Sequence, residues 1–121
     1  MPHKARKVYR ETNELCLKAE VKVLTKKEVD TWLFSVSDRM TRLSSGVAGK
    51  CYLLQEQNQD LVFKMFKNID DAYVLALYVK WEIKYLCLVK GIPGLQQLVA
   101  ACPKKHLIVS EYAGETLLRM V

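Results

Sequence analysis

From residue 39 onwards, short apolar runs alternate with polar turns along the chain. The runs at 43–49, 50–55 and 61–67, with a polar segment at 56–60, predict three strands in a meander. Residues 68–71 offer helix caps and the next Gly or Pro is Gly91, which favours one long helix of about twenty residues. Two further apolar runs, 95–101 and 106–110, flank a turn at Pro103 and predict an antiparallel pair.

The predicted element order is therefore βββαββ. It indicates an α+β fold with a five-stranded antiparallel sheet and one long helix inserted after the third strand, where the helix covers one sheet face. Before residue 39 the pattern is weaker, and two short helices are expected at 14–22 and 26–34 despite the β-branched Val21, Val23 and Val29. We expect a basic N-terminal extension over 1–38 and one domain over 39–121.

Charge and composition limit the classes of function that fit this sequence. The chain has 121 residues and a net charge of +6, and residues 1–27 carry eight Lys or Arg against three Glu. This segment is either a solvated leader or an arm for nucleic acid, an acidic membrane surface or an acidic partner, and a single Tyr9 without Arg/Gly repeats argues against RNA. Neither a membrane span nor a signal peptide is expected, and the four scattered cysteines suggest no metal site. A cytoplasmic or nuclear protein is expected.

A glycine-containing turn at residues 43–51 is the first candidate site. Gly46 and Gly49 meet the second and third glycines of G-x-G-x-x-G-x-V, whereas Ser44 and Cys51 replace its first glycine and its valine. Such a turn lets backbone N–H groups approach phosphate oxygens. It also fits an ordinary hairpin turn. A P-loop is the weaker alternative, because Ser44 and Cys51 break that motif and a strand follows it.

Lys64 is the second candidate, at the position of the lysine in a V-A-I-K strand. With the two-residue period of a strand, Val62, Lys64 and Phe66 share one face. A lysine among apolar neighbours needs a partner.

Glu82 is the predicted partner. It shares one stripe of the predicted helix with three apolar residues, which are Leu75, Val79 and Leu86. Glu82 would then face inward and form an ion pair with Lys64, which satisfies both groups. The alternative is that Trp81 and Tyr85 form the buried face and Glu82 lies at its solvated edge.

The segment 107–117 completes the pattern, because it resembles the fifth strand, the linker and the next helix of a protein kinase. Ser110 would guard the rear pocket, and Glu111 and Ala113 match the positions that meet the adenine edge. Taken in order, residues 39–121 resemble the small, ATP-cradling lobe of protein kinases.

The resemblance implies ATP as the cofactor, with Lys64 gripping its phosphates and Glu82 orienting Lys64 as the catalytic pair. The implied ATP-contacting residues are Ser44, Gly46, Gly49, Cys51, Val62, Lys64, Ser110, Glu111 and Ala113. Ser44, Cys51 and Val62 depart from the family pattern, so weak ATP binding is expected.

The family's catalytic machinery is missing from this sequence. The 121 residues contain neither an H-R-D-x-x-x-x-N loop nor D-F-G, so magnesium is expected only in an intact relative and the chain alone should not transfer phosphate. Expected partners are ATP and an intact kinase or large lobe. The alternative is a stand-alone, non-catalytic lobe mimic that binds and modulates a kinase or its regulator.

Overall fold

The computed structural model describes residues 3–45, 49–56, 59–67 and 69–111. These residues form three helices and six strands. In chain order the elements are α1 His3–Lys18, β1 Lys22–Val23, α2 Lys26–Val36, β2 Met40–Ser45, β3 Gly49–Gln55, β4 Asp60–Phe66, α3 Ala72–Leu88, β5 Leu98–Cys102 and β6 Leu107–Glu111. Two 3₁₀ turns, Ser37–Arg39 and Pro103–Lys105, precede β2 and β6.

The strands form one sheet in the order β1-β5-β6-β4-β3-β2. The five strands β2 to β6 pair antiparallel, as predicted, but β1 pairs parallel to β5. The α+β class is confirmed, whereas the five-stranded antiparallel description is wrong by one strand, because the sheet is mixed and six-stranded. A strand of two residues is too short for a visible hydrophobic alternation, so β1 left no signal in the sequence.

The long helix after the third strand is confirmed as α3. The side chain of Asp71 caps it by accepting hydrogen bonds from the backbone N–H groups of Tyr73 and Val74, at 2.8 and 3.2 Å. The helix ends at Leu88, shortly before Gly91, whose φ of +84° suits glycine. The turn at Pro103 is also present, and His106 closes it in the left-handed conformation.

Both faces of the sheet are covered. On one face α3 packs over an apolar cluster, whose buried members include Phe66, Val79, Ile83, Leu98 and Ile108. On the other face α2 packs over a second cluster centred on Phe63, with the Trp32 and Phe63 rings 4.8 Å apart edge to face. The α3 face is the one that carries the candidate site.

The N-terminal helices pack on the rest of the fold through their apolar side chains, while the eight Lys and Arg of residues 4–27 stay exposed. The predicted helix at 14–22 is wrong in its limits, because α1 begins at His3 and buries Ala5, Val8 and Tyr9 against Ala76 of α3. The Tyr9 hydroxyl and His106 Nε2 share a hydrogen bond of 2.6 Å. Burial raises the pKa of Tyr9. Burial also lowers the pKa of His106, and the positive charge of Lys26 lowers it further.

Candidate functional site

Lys64 lies in the middle of β4, with a neighbouring strand on each side. Its Cα faces Cys51 of β3 and Ile108 of β6 in the sheet register. Because the sheet fixes the backbone on both sides, the direction of the Lys64 side chain is set by the strand, toward the face covered by α3. Its Nζ lies 5.1 Å from the centroid of the Phe66 ring, two residues along the same face.

Glu82 of α3 meets this lysine. Lys64 Nζ and Glu82 Oε1 are 3.4 Å apart, and the side chains are 36% and 31% exposed. The predicted ion pair is therefore present in the structure. The alternative with Trp81 and Tyr85 on the buried face is wrong, because each is 57% exposed while Ile83 is fully buried.

Four of the proposed site residues share this sheet face. Cys51 is opposite Lys64, Ser110 is opposite Val62, and Val62 and Lys64 are two apart on β4. Val62 and Ser110 are buried, whereas Cys51 and Lys64 are half-buried. The predicted residues thus come from three strands and one helix and lie around Lys64, whose side chain is partly exposed.

The proposed adenine edge is described only as far as Glu111. Ser110 Oγ accepts a hydrogen bond from the Gln96 side chain, and the Glu111 backbone N–H donates to the Gln97 carbonyl at 2.8 Å. Because the Glu111 N–H is already engaged, its backbone carbonyl is the group left for a contact with an adenine. Ala113 lies outside the described residues.

Sequence reasoning missed the two glutamines that support this edge. The side chain of Gln97 donates to the carbonyls of Val89, Ile92 and Leu95 at 3.2, 3.3 and 3.0 Å, and it accepts from Gly91 N–H at 2.7 Å. It thereby fixes the turn that leads from α3 into β5. The available signal was a pair of amides, Gln96 and Gln97, that follows the turn at 91–94 after one leucine and precedes an apolar run.

The glycine turn is described only in part. A side chain on Gly49 would collide with the Met65 carbonyl and lie 3.0 Å from the Phe66 Cα, so glycine is needed for the close approach of β3 and β4. Ser44 is opposite Cys51 in the strand register, and Gly46 lies outside the described residues. Gly49 therefore has a structural role that is independent of phosphate.

An open groove of about 620 Å³ lies on the opposite side of the sheet from Lys64. It is formed between α2 and the β1–β5 edge, with Leu24, Trp32, Val99 and Ala100 among its lining residues. Its volume falls in the usual range for small-molecule sites. Among the proposed ATP-contacting residues that the structure describes, none lines this groove.

The arrangement at Lys64 suits an anion. A lysine ammonium is a compact positive charge with three donors, and Glu82 occupies one side of it while part of the side chain stays open. A phosphate approaching the open side would meet a cation that is already oriented. A phosphate or another small anion therefore fits the donor that the structure presents.

In the described ranges, no group of three or more His, Cys, Asp or Glu residues could hold a metal ion, and no helix could cross a membrane. Comparison of the chain with protein-family models, with curated proteins and with solved structures finds no match.

Proposed function

We propose that this chain is the ATP-binding lobe of a protein-kinase-like protein. Lys64 binds the phosphates of ATP, and Glu82 holds Lys64 in the orientation that phosphate binding needs. The observation that supports this proposal is the 3.4 Å ion pair on the sheet face that also carries Cys51, Val62 and Ser110.

Stability alone gives a weak reason for such a pair. An ion pair with about a third of each side chain exposed contributes little to folding, typically about 0.2–1 kcal/mol. A long apolar residue at position 64 would suit the neighbouring Phe66 and Ile108 at least as well. A ligand that needs a positioned cation provides the stronger physical reason for a lysine and a glutamate here.

The proposal concerns binding and not transfer. Phosphoryl transfer requires a base for the accepting hydroxyl and metal ligands for the phosphates, and in kinases these come from the H-R-D-x-x-x-x-N and D-F-G segments. Neither segment occurs in these 121 residues. ATP supplies the γ-phosphoryl group in the kinase reaction, and in this chain Lys64 binds its phosphates while Glu82 orients Lys64.

Nucleotide titrations followed by backbone amide chemical shifts test the proposal. We expect ATP to shift the amides around Lys64, Val62 and Cys51 with millimolar affinity, and Lys64→Met to abolish these shifts. Lys84→Met is the matched control, because Lys84 is an exposed lysine on α3 and should leave the shifts unchanged. ADP should behave like ATP, since the lysine grips the α- and β-phosphates, whereas AMP should lose the dependence on Lys64.

Thermal stabilisation should be small under the same conditions. At a ligand concentration equal to Kd, binding adds only about 0.4 kcal/mol of stability. Shifts that map to the α2 groove, or that persist in Lys64→Met, would contradict the proposal. A large stabilisation lost in Lys64→Met would show instead that the pocket is complete and that the expectation of weak binding is wrong.

A further inference from the structure

The outward face of α3 carries a continuous row of large apolar side chains. Five residues, from 38% to 74% exposed, form the row, and they are Val74, Tyr78, Trp81, Tyr85 and Leu88. We call this set the α3 row. Its inner neighbours on the same helix, including Val79 and Ile83, are already buried against the sheet, so α3 is apolar on two faces. A helix that is apolar nearly all round is normally covered nearly all round.

The spacing of the α3 row indicates what kind of surface covers it. Its members follow one another at intervals of 4, 3, 4 and 3 residues. At about 100° per residue they fall within an arc of about 80°, which is the narrow seam of a coiled coil. The first and last members are fourteen positions apart, or about 21 Å along the axis. An α-helix of about four turns matches this seam in both period and length.

The row is also braced from below. The Tyr78 ring stacks on Phe66 of β4 with centroids 6.5 Å apart, and the Trp81 ring meets Tyr78 edge to face at 6.1 Å. Rings held by neighbouring rings lose little conformational freedom when a partner covers them. Tyr78 and Trp81, at the centre of the α3 row, are therefore preorganised.

Charges of both signs lie beside the α3 row, with the exposed Asp70 and Asp71 just before the first turn and an exposed lysine farther along. Lys84 is exposed and lies three residues after Trp81 and four before Leu88, next to the seam. Near the start of the helix, Lys4 Nζ of α1 lies 6.0 Å from the Tyr73 ring. Glu82, on the other flank, is engaged with Lys64. Two copies of a chain with a net charge of +6 would repel each other across this seam, whereas acidic residues would be attracted.

We propose that the α3 row is a docking site for an amphipathic helix of another protein, with an apolar 4-3 seam and acidic residues beside that seam. This inference goes beyond nucleotide binding and does not depend on it. It requires no movement of Lys64 or Glu82.

Designed peptides test the docking site on the full chain. The acidic probe is a helix of about four turns with Leu at both seam positions and Glu at the flanking positions, and the basic probe has Lys at those flanking positions. Calorimetry should give micromolar affinity for the acidic probe and at least tenfold weaker binding of the basic probe. The tryptophan emission of the Trp32→Phe variant, which comes from Trp81, should shift to the blue as the Trp81 ring is covered.

The double substitution Trp81→Glu, Tyr85→Glu should weaken the acidic probe at least tenfold. Both residues are exposed, so circular dichroism and urea denaturation should show an intact fold. Phe34→Glu is the matched control, because Phe34 is 88% exposed on α2 and its replacement should leave binding unchanged.

Four results would overturn the proposal. They are equal binding of the acidic and basic probes, no binding of either, a dimer in sedimentation that disappears in the double variant, and binding of phosphatidylserine vesicles that the double variant loses. The third would show that a second copy covers the α3 row, and the fourth that a membrane surface does.

Discussion

The Lys64–Glu82 pair should contribute little to the stability of the fold. At 3.4 Å the Coulomb energy of two unit charges is about 1.2 kcal/mol in bulk water and about 5 kcal/mol at an effective dielectric constant of about 20. Both side chains are about one-third exposed, so water weakens the attraction. Holding two long side chains in one geometry also costs entropy. The expected coupling is therefore about 0.5–1 kcal/mol.

A double-mutant cycle measures this coupling. Urea denaturation of the unchanged chain, Lys64→Met, Glu82→Gln and the double variant gives four free energies of unfolding, whose combination isolates the pairwise contribution. In 1 M salt the coupling should fall close to zero, because the Debye length is then about 3 Å. Ile83→Ala, in the buried cluster beneath α3, serves as a reference and should cost about 2–5 kcal/mol.

Two outcomes would refute this reasoning. A coupling of zero at low salt would show that the pair does not form in solution. A coupling above about 3 kcal/mol that resists salt would show a desolvated pair, as expected when one partner of a buried pair is removed. In the second case the pair would stabilise the fold strongly by itself. A ligand would then no longer be needed to explain Lys64 and Glu82.

Three further predictions concern other parts of the chain. Because burial lowers the pKa of His106, the free energy of unfolding should be highest above about pH 6.5 and should fall as the pH drops through the lowered pKa. His106→Asn should flatten this pH dependence in denaturation curves measured from pH 5 to 8. Burial and the neighbouring Cys87 raise the pKa of Cys16 to about 11, so Cys16 should resist alkylation at pH 8 until the chain is denatured, as peptide mapping would show. Gly49→Ala should cost about 1–3 kcal/mol in urea denaturation, because its side chain would collide with the Met65 carbonyl, and an unchanged stability would contradict the strand spacing.

The strand and helix pattern after residue 39 was predictable because capping or turn-forming residues mark the ends of its elements. Asp71 caps α3, Pro103 opens the turn before β6, and the alternation along β4 placed Lys64 on one face. The ion pair followed from this alternation together with the helical stripe of Glu82. It is the part of the candidate site that local periodicity could specify.

The N-terminal region was less predictable, because its contacts are long-range. Tyr9 is buried by α3 and by the turn at His106, 97 positions later, and no local pattern encodes that contact. The side chain of Gln97 was missed for a similar reason, since its three carbonyl partners are identifiable only once the turn has formed. The parallel pairing of β1 depends likewise on β5 being in place.

That pairing has a consequence for how the chain folds. Lys22 is paired with Ala100 and Val23 with Ala101, so the ends of this contact are 78 positions apart, from 22 to 100. Parallel strands and distant contacts form slowly, because the intervening chain must be ordered first. During synthesis, α1 and α2 emerge long before the strand that β1 joins. The N-terminal helices are thus made well before β5, and we expect the sheet edge that β1 completes to be among the last parts of this sheet to close.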